Sequence, residues 1–168
     1  SVFLYMSDRN TPPLKPLKKD DKQYNRKIIA EHVKPMIDER LELTSDCNNE
    51  KRYCFYIKPE VKSDKAVILC HGFKGNHLGD VAQFVDYYKA LGYNIFMVDH
   101  RASGESEGRF LSYGYFESED LILWINKIVS ILGPECKIIL HGVSMGAATV
   151  LQTAGKKELP ENVKLVVS

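Results

Sequence analysis

Four short apolar runs constrain this chain more than any other feature: Ala66-Val67-Ile68-Leu69-Cys70, Ile95-Phe96-Met97-Val98, Ile138-Ile139-Leu140, and Val163 to Val167, broken only by Lys164. Continuous apolar runs of this length suit strands buried on both faces of a parallel sheet. Between them lie patterns of helical period. Val81, Phe84, Val85, Tyr88 and Leu91 share one face, closed by Gly92, while Leu121, Trp124, Ile125, Ile128, Ile131 and Leu132 share another, closed by Gly133-Pro134. A third helix is expected over Ala147 to Ala154. Strands and helices therefore alternate as β-α-β-α-β-α-β, the arrangement of a mainly parallel sheet wrapped by helices.

The front of the chain has a different texture. Arg40-Leu41-Glu42-Leu43-Thr44 and Arg52 to Lys58 both alternate polar and apolar residues, a strand signal. Asp46-Cys47-Asn48-Asn49 between them has turn chemistry, so the two predict an antiparallel hairpin. Lys22 to Val33 predicts a short amphipathic helix ended by Pro35. The stretch up to Asp21, with Thr11-Pro12-Pro13 and Pro16, reads as an arm. The expected division is an N-terminal arm and short helix over 1–39, then part of one α/β domain over 40–168.

Charge and composition narrow the partners. A formal net charge of +1 gives no electrostatic case for nucleic acid or an anionic membrane as main partner. The basic cluster Lys15-Pro16-Leu17-Lys18-Lys19 is followed at once by Asp20-Asp21 and reads as a solvated segment. No stretch approaches the roughly 20 apolar residues of a membrane span. The scattered thiols of Cys47, Cys54, Cys70 and Cys136 suit a reducing compartment, and the cytoplasm is the expected location. The start at Ser1, without methionine, leaves an upstream signal or anchor open. The five histidines show no metal-ligand spacing, there is no Gly-rich phosphate loop, and no metal or cofactor is expected.

Ligands of such sheets bind beyond the carboxyl ends of the strands. Three polar or Gly-rich segments follow strands here: His71-Gly72-Phe73-Lys74-Gly75-Asn76, Asp99-His100-Arg101-Ala102-Ser103-Gly104-Glu105-Ser106, and His141-Gly142-Val143-Ser144-Met145-Gly146. The last is G-x-S-x-G between a strand and a helix, which forms a tight elbow and exposes its serine. Ser144 is therefore the candidate nucleophile, at a helix N-terminus whose partial positive charge favours a developing oxyanion. His71-Gly72 lets the backbone turn so that the Phe73 N–H, with that of Met145, would form an oxyanion hole. The His71 side chain reads as structural, being on the wrong loop for a base. Lys74 and Asn76 either line the site or are solvated. Tyr113, Tyr115 and Phe116 border a cleft or simply pack on the domain. Glu117, Glu119 and Asp120 suit a helix start through the dipole, Trp124 is core, and His32 and His77 are expected at the surface.

The combination of HGF, DHRASGES and GVSMG, in this order and spacing, resembles α/β-hydrolases of the serine aminopeptidase and esterase type, and is similar to uncharacterised or cell-surface bacterial members. The resemblance covers about Arg40 to Ser168. It implies the α/β-hydrolase fold, with an N-terminal antiparallel hairpin and a mainly parallel sheet. It also implies Ser144 as nucleophile, Phe73 and Met145 as oxyanion donors, and a bracing role for Asp99-His100-Arg101. The substrate would be a small-molecule or peptide acyl compound carrying an ester, thioester or amide bond. Ala102 stands where many members have glycine, and it fits if its φ is negative.

In this fold the triad runs Ser, then Asp or Glu, then His. No histidine follows Ser144, and the acids after it are Glu158 and Glu161, neither following a strand that would present it to the serine. His141 lies on the strand entering the elbow and is expected to point away from the serine, and His100 is a still weaker substitute. The expectation is a fold truncated after the strand that follows the nucleophile helix, with acid, base and any cap beyond Ser168, and with little activity on its own. A non-catalytic binding pseudo-enzyme and an acyltransferase on the same fold remain the alternatives. Val163–Val167 would then be a bare apolar edge, predicting self-association or an unstable monomer.

Overall fold

The computed structural model describes residues 22–45 and 49–168. The proline-containing arm, the basic cluster at 15–19 and the turn residues Asp46, Cys47 and Asn48 lie outside the described residues. Helix α1 spans Lys22–Val33, and a 3-10 turn, Lys34–Met36, follows it with Pro35 in its first turn. Strands β1 (Glu39–Thr44) and β2 (Lys51–Ile57) form the antiparallel hairpin. Then come β3 (Lys65–Cys70), α2 (Val85–Ala90), β4 (Asn94–Asp99), α3 (Tyr115–Leu132), β5 (Lys137–Gly142), α4 (Met145–Ala154) and β6 (Val163–Val167).

The six strands form one sheet in the order β1-β2-β4-β3-β5-β6. The first two junctions are antiparallel and the other three parallel. The chain moves from β3 outward to β4, then crosses back past β3 to β5 and on to β6. This reversal leaves a crevice beside β3 at the carboxyl end of the sheet, where doubly wound sheets hold their ligands.

Side-chain alternation along each strand explains the two cores. Ala66, Ile68, Cys70, Phe96, Val98, Ile138 and Leu140 face Leu121, Trp124, Ile125 and Ile128 of α3 and Val150 of α4. Val67, Leu69, Ile95 and Met97 face the opposite way, toward Val81, Val85 and Tyr88. Val33 at the end of α1 is buried in this second core, with Ile29 and Met36 packed against it. The runs read as continuously apolar because both sheet faces are covered.

The two edges differ. β1 carries Glu39, Arg40 and Glu42 and is mostly exposed, the charged pattern that discourages edge pairing. β6 has a single charged residue, Lys164, and its other four residues are only half-buried.

Three expectations need correction. His77 is buried, not superficial: its ring stacks on Phe55 with centroids 3.4 Å apart, and its Nδ1 lies 3.0 Å from the Asp99 carboxylate. Asp120 does more than favour a helix dipole. It is buried, accepts hydrogen bonds from Arg52 Nε (2.9 Å), Arg101 Nε (3.0 Å) and Ser45 Oγ (3.1 Å), and so ties the hairpin to the loop after β4. Ala102 has φ +55°, in the left-handed region rather than at negative φ.

Candidate active site

Ser144 sits between β5 and α4 with φ 55° and ψ −115°, a conformation that side-chain-bearing residues rarely adopt. The geometry around it explains both flanking glycines. A Cβ on Gly142 would lie 2.2 Å from the Gly146 carbonyl oxygen, and one on Gly146 would lie 2.0 Å from that of Cys70. Both contacts are with backbone, so neither can be relieved by a side-chain rotation. The Val143 N–H donates to the Cys70 carbonyl (3.0 Å), pinning the elbow to the end of β3. Ser144 is left exposed while Met145 is buried. Met145 is the first residue of α4, so its N–H has no acceptor within the helix.

The loop after β3 meets this elbow. A Cβ on Gly72 would lie 3.3 Å from the Ser144 Cβ and 2.7 Å from an Asp80 carboxylate oxygen. The Gly72 N–H donates to the Asp80 carboxylate at 3.1 Å, and the Gly75 N–H closes the turn onto the Gly72 carbonyl at 3.0 Å. The sequence-predicted residues Phe73, Ser144 and Met145 are thus brought to neighbouring backbone positions across the β3–β5 junction. Asp80 was not singled out from sequence, since nothing in its spacing distinguishes it from a solvated carboxylate.

The imidazoles near this edge are engaged in the fold. His71 is buried, its Nε2 accepts the His100 backbone N–H at 3.1 Å, and its Nδ1 therefore carries the proton toward the Gly72 carbonyl at 2.7 Å. Burial lowers its pKa and keeps the ring neutral. His100 is buried beside it, ring centroids 4.6 Å apart, and burial drives its pKa well down. His141 points into the α2 side of the sheet, where its Nδ1 lies 3.0 Å from the Tyr88 hydroxyl and its ring packs on Phe84. Burial lowers its pKa to about 4. The exposed His32 pairs with Asp86 at 3.1 Å, away from the elbow.

The loop after β4 is braced as expected. Asp99 accepts the His77 N–H (2.7 Å) and the Glu105 N–H (2.8 Å), and Gly104 passes so close that a Cβ there would lie 2.0 Å from the carboxylate. Glu117 is buried and accepts the Ser112 and Gly114 N–H groups, each at 2.8 Å, fixing the turn into α3. Phe73, Tyr113, Tyr115 and Phe116 are all exposed, Phe73 and Tyr113 stacking at 5.5 Å. Among the described residues no His/Cys/Asp/Glu cluster is arranged to hold a metal ion, and no helix is long and apolar enough to cross a membrane.

A mixed sheet of this order, with a strained serine elbow at its crevice, defines an α/β-hydrolase. The profile of the family described as "Serine aminopeptidase, S33" matches residues 61–168, and the chain belongs to this family of serine hydrolases. It is similar to the uncharacterised protein YqkD of Bacillus subtilis, at 36% identity over 60% of this chain and 32% of that protein. It is 29% identical to the monoglyceride lipase of Rattus norvegicus, over 62% of this chain and 35% of the lipase. The Pyrococcus furiosus esterase Pf2001 superposes with a TM-score of 0.65 at 26% identity, covering 75% of this chain and 50% of the esterase. The chain thus spans about a third of the length of these curated relatives.

Proposed function

We propose that Ser144 is the nucleophile of a serine hydrolase that cleaves ester, thioester or amide bonds through an acyl-enzyme. The observation that carries this reading is the exposed, strained Ser144 at the head of α4, in contact with the Gly72 turn across the sheet crevice. In the proposed reaction the Ser144 hydroxyl adds to the substrate carbonyl and the N–H groups of Phe73 and Met145 hold the oxyanion. Collapse expels the alcohol, thiol or amine and leaves the acyl group on Ser144. Water then adds to the acyl carbon, the bond to Ser144 Oγ breaks, and the carboxylic acid leaves as the serine hydroxyl is restored. Backbone donors fixed in place before reaction are effective because they need no reorganisation as charge develops. Small acyl compounds are the proposed substrates, and a reducing compartment such as the cytoplasm suits the buried thiols of Cys54, Cys70 and Cys136.

Ser144 needs a base to become a good nucleophile. His71, His77 and His141 are hydrogen-bonded within the fold, and His100 is packed beside His71. Residues 1–168 alone are therefore expected to turn over poorly; losing the base of a triad costs on the order of 10^6 in kcat. A fluorophosphonate probe tests both statements. The native full-length protein should be labelled at Ser144, and the Ser144→Ala variant should not. A full-length protein that stays unlabelled would sink the nucleophile assignment. Rapid labelling of the 168-residue chain would overturn the expectation that it is nearly inactive.

A further inference from the structure

We propose that Asp80 is a positioning residue for the reaction at Ser144: its carboxylate holds the Gly72 turn so that the Phe73 N–H is aimed before substrate arrives. The inference rests on the roles proposed above for Ser144 and Phe73, and adds a side chain that acts through the backbone.

The direction of the Phe73 N–H is set by its neighbours. A trans peptide is planar, so this N–H points opposite to the Gly72 carbonyl. That carbonyl is held twice, by the Gly75 N–H at 3.0 Å and by His71 Nδ1 at 2.7 Å. The Phe73 N–H therefore faces away from both donors, and no acceptor among the described residues takes it. The turn is strained, since Lys74, its third residue, has φ +55°. The Gly72 amide is the other handle on this turn. Asp80 takes it, with its two carboxylate oxygens 3.1 and 3.3 Å from the nitrogen.

Asp80 is itself a fixed post. Val81 after it is fully buried in the core on the α2 side, and Gln83 Nε2 donates to the Asp80 carbonyl at 2.6 Å. Before it, the Gly79 N–H closes onto the Asn76 carbonyl at 2.9 Å, and the His77 N–H is tied to Asp99. The loop is thus anchored at its middle and its far end, and the Asp80 carboxylate closes it onto Gly72. The position a Cβ would take on Gly72 is in contact with both that carboxylate and the Ser144 Cβ. A carboxylate this near the serine opposes a developing oxyanion by charge. Its benefit to the reaction comes through the backbone it holds.

The test uses full-length native protein with p-nitrophenyl acetate and its thiono analogue, in which sulfur replaces the carbonyl oxygen. Each rate is normalised to hydrolysis by hydroxide and taken per serine labelled by exhaustive fluorophosphonate treatment. Sulfur accepts hydrogen bonds weakly, so a working oxyanion hole prefers the oxygen ester. Asp80→Ala should lower kcat/KM for the oxygen ester about 10- to 100-fold and reduce the preference for oxygen by a similar factor. Asp80→Asn, whose amide oxygen still accepts the Gly72 N–H, should recover most of both. Asp80→Ala within about twofold of wild type, a loss shared equally by the two esters, or Asp80→Asn as slow as Asp80→Ala would overturn the positioning role. If Asp80→Ala does not fold, Asp80→Asn carries the test alone, keeping the oxygen preference if the role holds and losing it if not. A wild type that is unlabelled at Ser144, or that has no preference for oxygen, would instead remove the reading on which this one depends.

Discussion

Replacing Ala102 with glycine should make this protein more stable. Ala102 is held at φ +55° in the loop after β4, its N–H donating to the Glu107 carbonyl at 3.0 Å. The left-handed conformation costs an L-residue roughly 1–2 kcal/mol through the clash of Cβ with the backbone, and glycine is free of that clash. Against this, glycine gives the unfolded chain more freedom, an opposing effect of about 0.4–1 kcal/mol. The methyl is only half-buried, so little packing is lost. The balance is a gain of roughly 0.5–1 kcal/mol, or about 1–4 °C in Tm for a domain of this size. Urea unfolding followed by fluorescence of Trp124, the single tryptophan and 2% exposed, reads the change directly. Ala102→Val serves as the control, because a β-branched side chain at positive φ should destabilise. If Ala102→Gly unfolds at lower urea than wild type, the strain assigned to this loop is wrong.

Asp120→Asn should cost about 3 kcal/mol, because it leaves the buried Arg101 guanidinium without its carboxylate and Arg52 with Glu50 alone; an unchanged urea midpoint would contradict the bracing role. His141 titrates at about 4 in the fold against an ordinary value of 6.5, so the unfolded chain binds the proton first. Its contribution to stability, about 3 kcal/mol, is fully present above pH 6.5 and is lost as pH falls toward 4. His71 and His100 shift in the same direction, so urea midpoints across pH 4–8 should fall on the acid side, and a midpoint that rises toward acid would refute this. The half-buried apolar strand β6 is proposed to pair between copies of the 168-residue chain. Light scattering should then show dimers or larger species that Leu165→Lys disperses, while a monodisperse wild-type monomer would count against edge pairing.

Much of the architecture is legible in the sequence because burial on two faces leaves a simple mark. The run Ala66–Cys70 becomes β3, one residue longer at Lys65, and Val163–Val167 becomes β6. Gly92 and Gly133 both adopt positive φ where the helical patterns stop. The elbow is legible for a related reason: two glycines at fixed spacing around Ser144 record a close backbone approach. What stays hidden depends on partners distant in sequence. Nothing near His77 announces that Phe55 and Asp99 will enclose it. Asp120 resembles any acidic residue in the first turns of a helix until Arg52 and Arg101 converge on it. Ala102 takes positive φ in the loop that closes around Asp99, and only the glycine that many family members carry at this position hints at it.

The central claim is an acyl group carried on Ser144, and mass spectrometry of the full-length protein mixed with a p-nitrophenyl ester and quenched with acid tests it most directly. The account predicts an acyl mass increment on the peptide containing Gly142–Gly146, accompanied by a burst of p-nitrophenol, and neither in Ser144→Ala. Turnover of the ester by Ser144→Ala at the wild-type rate, or an acyl adduct mapped to another residue, would contradict it.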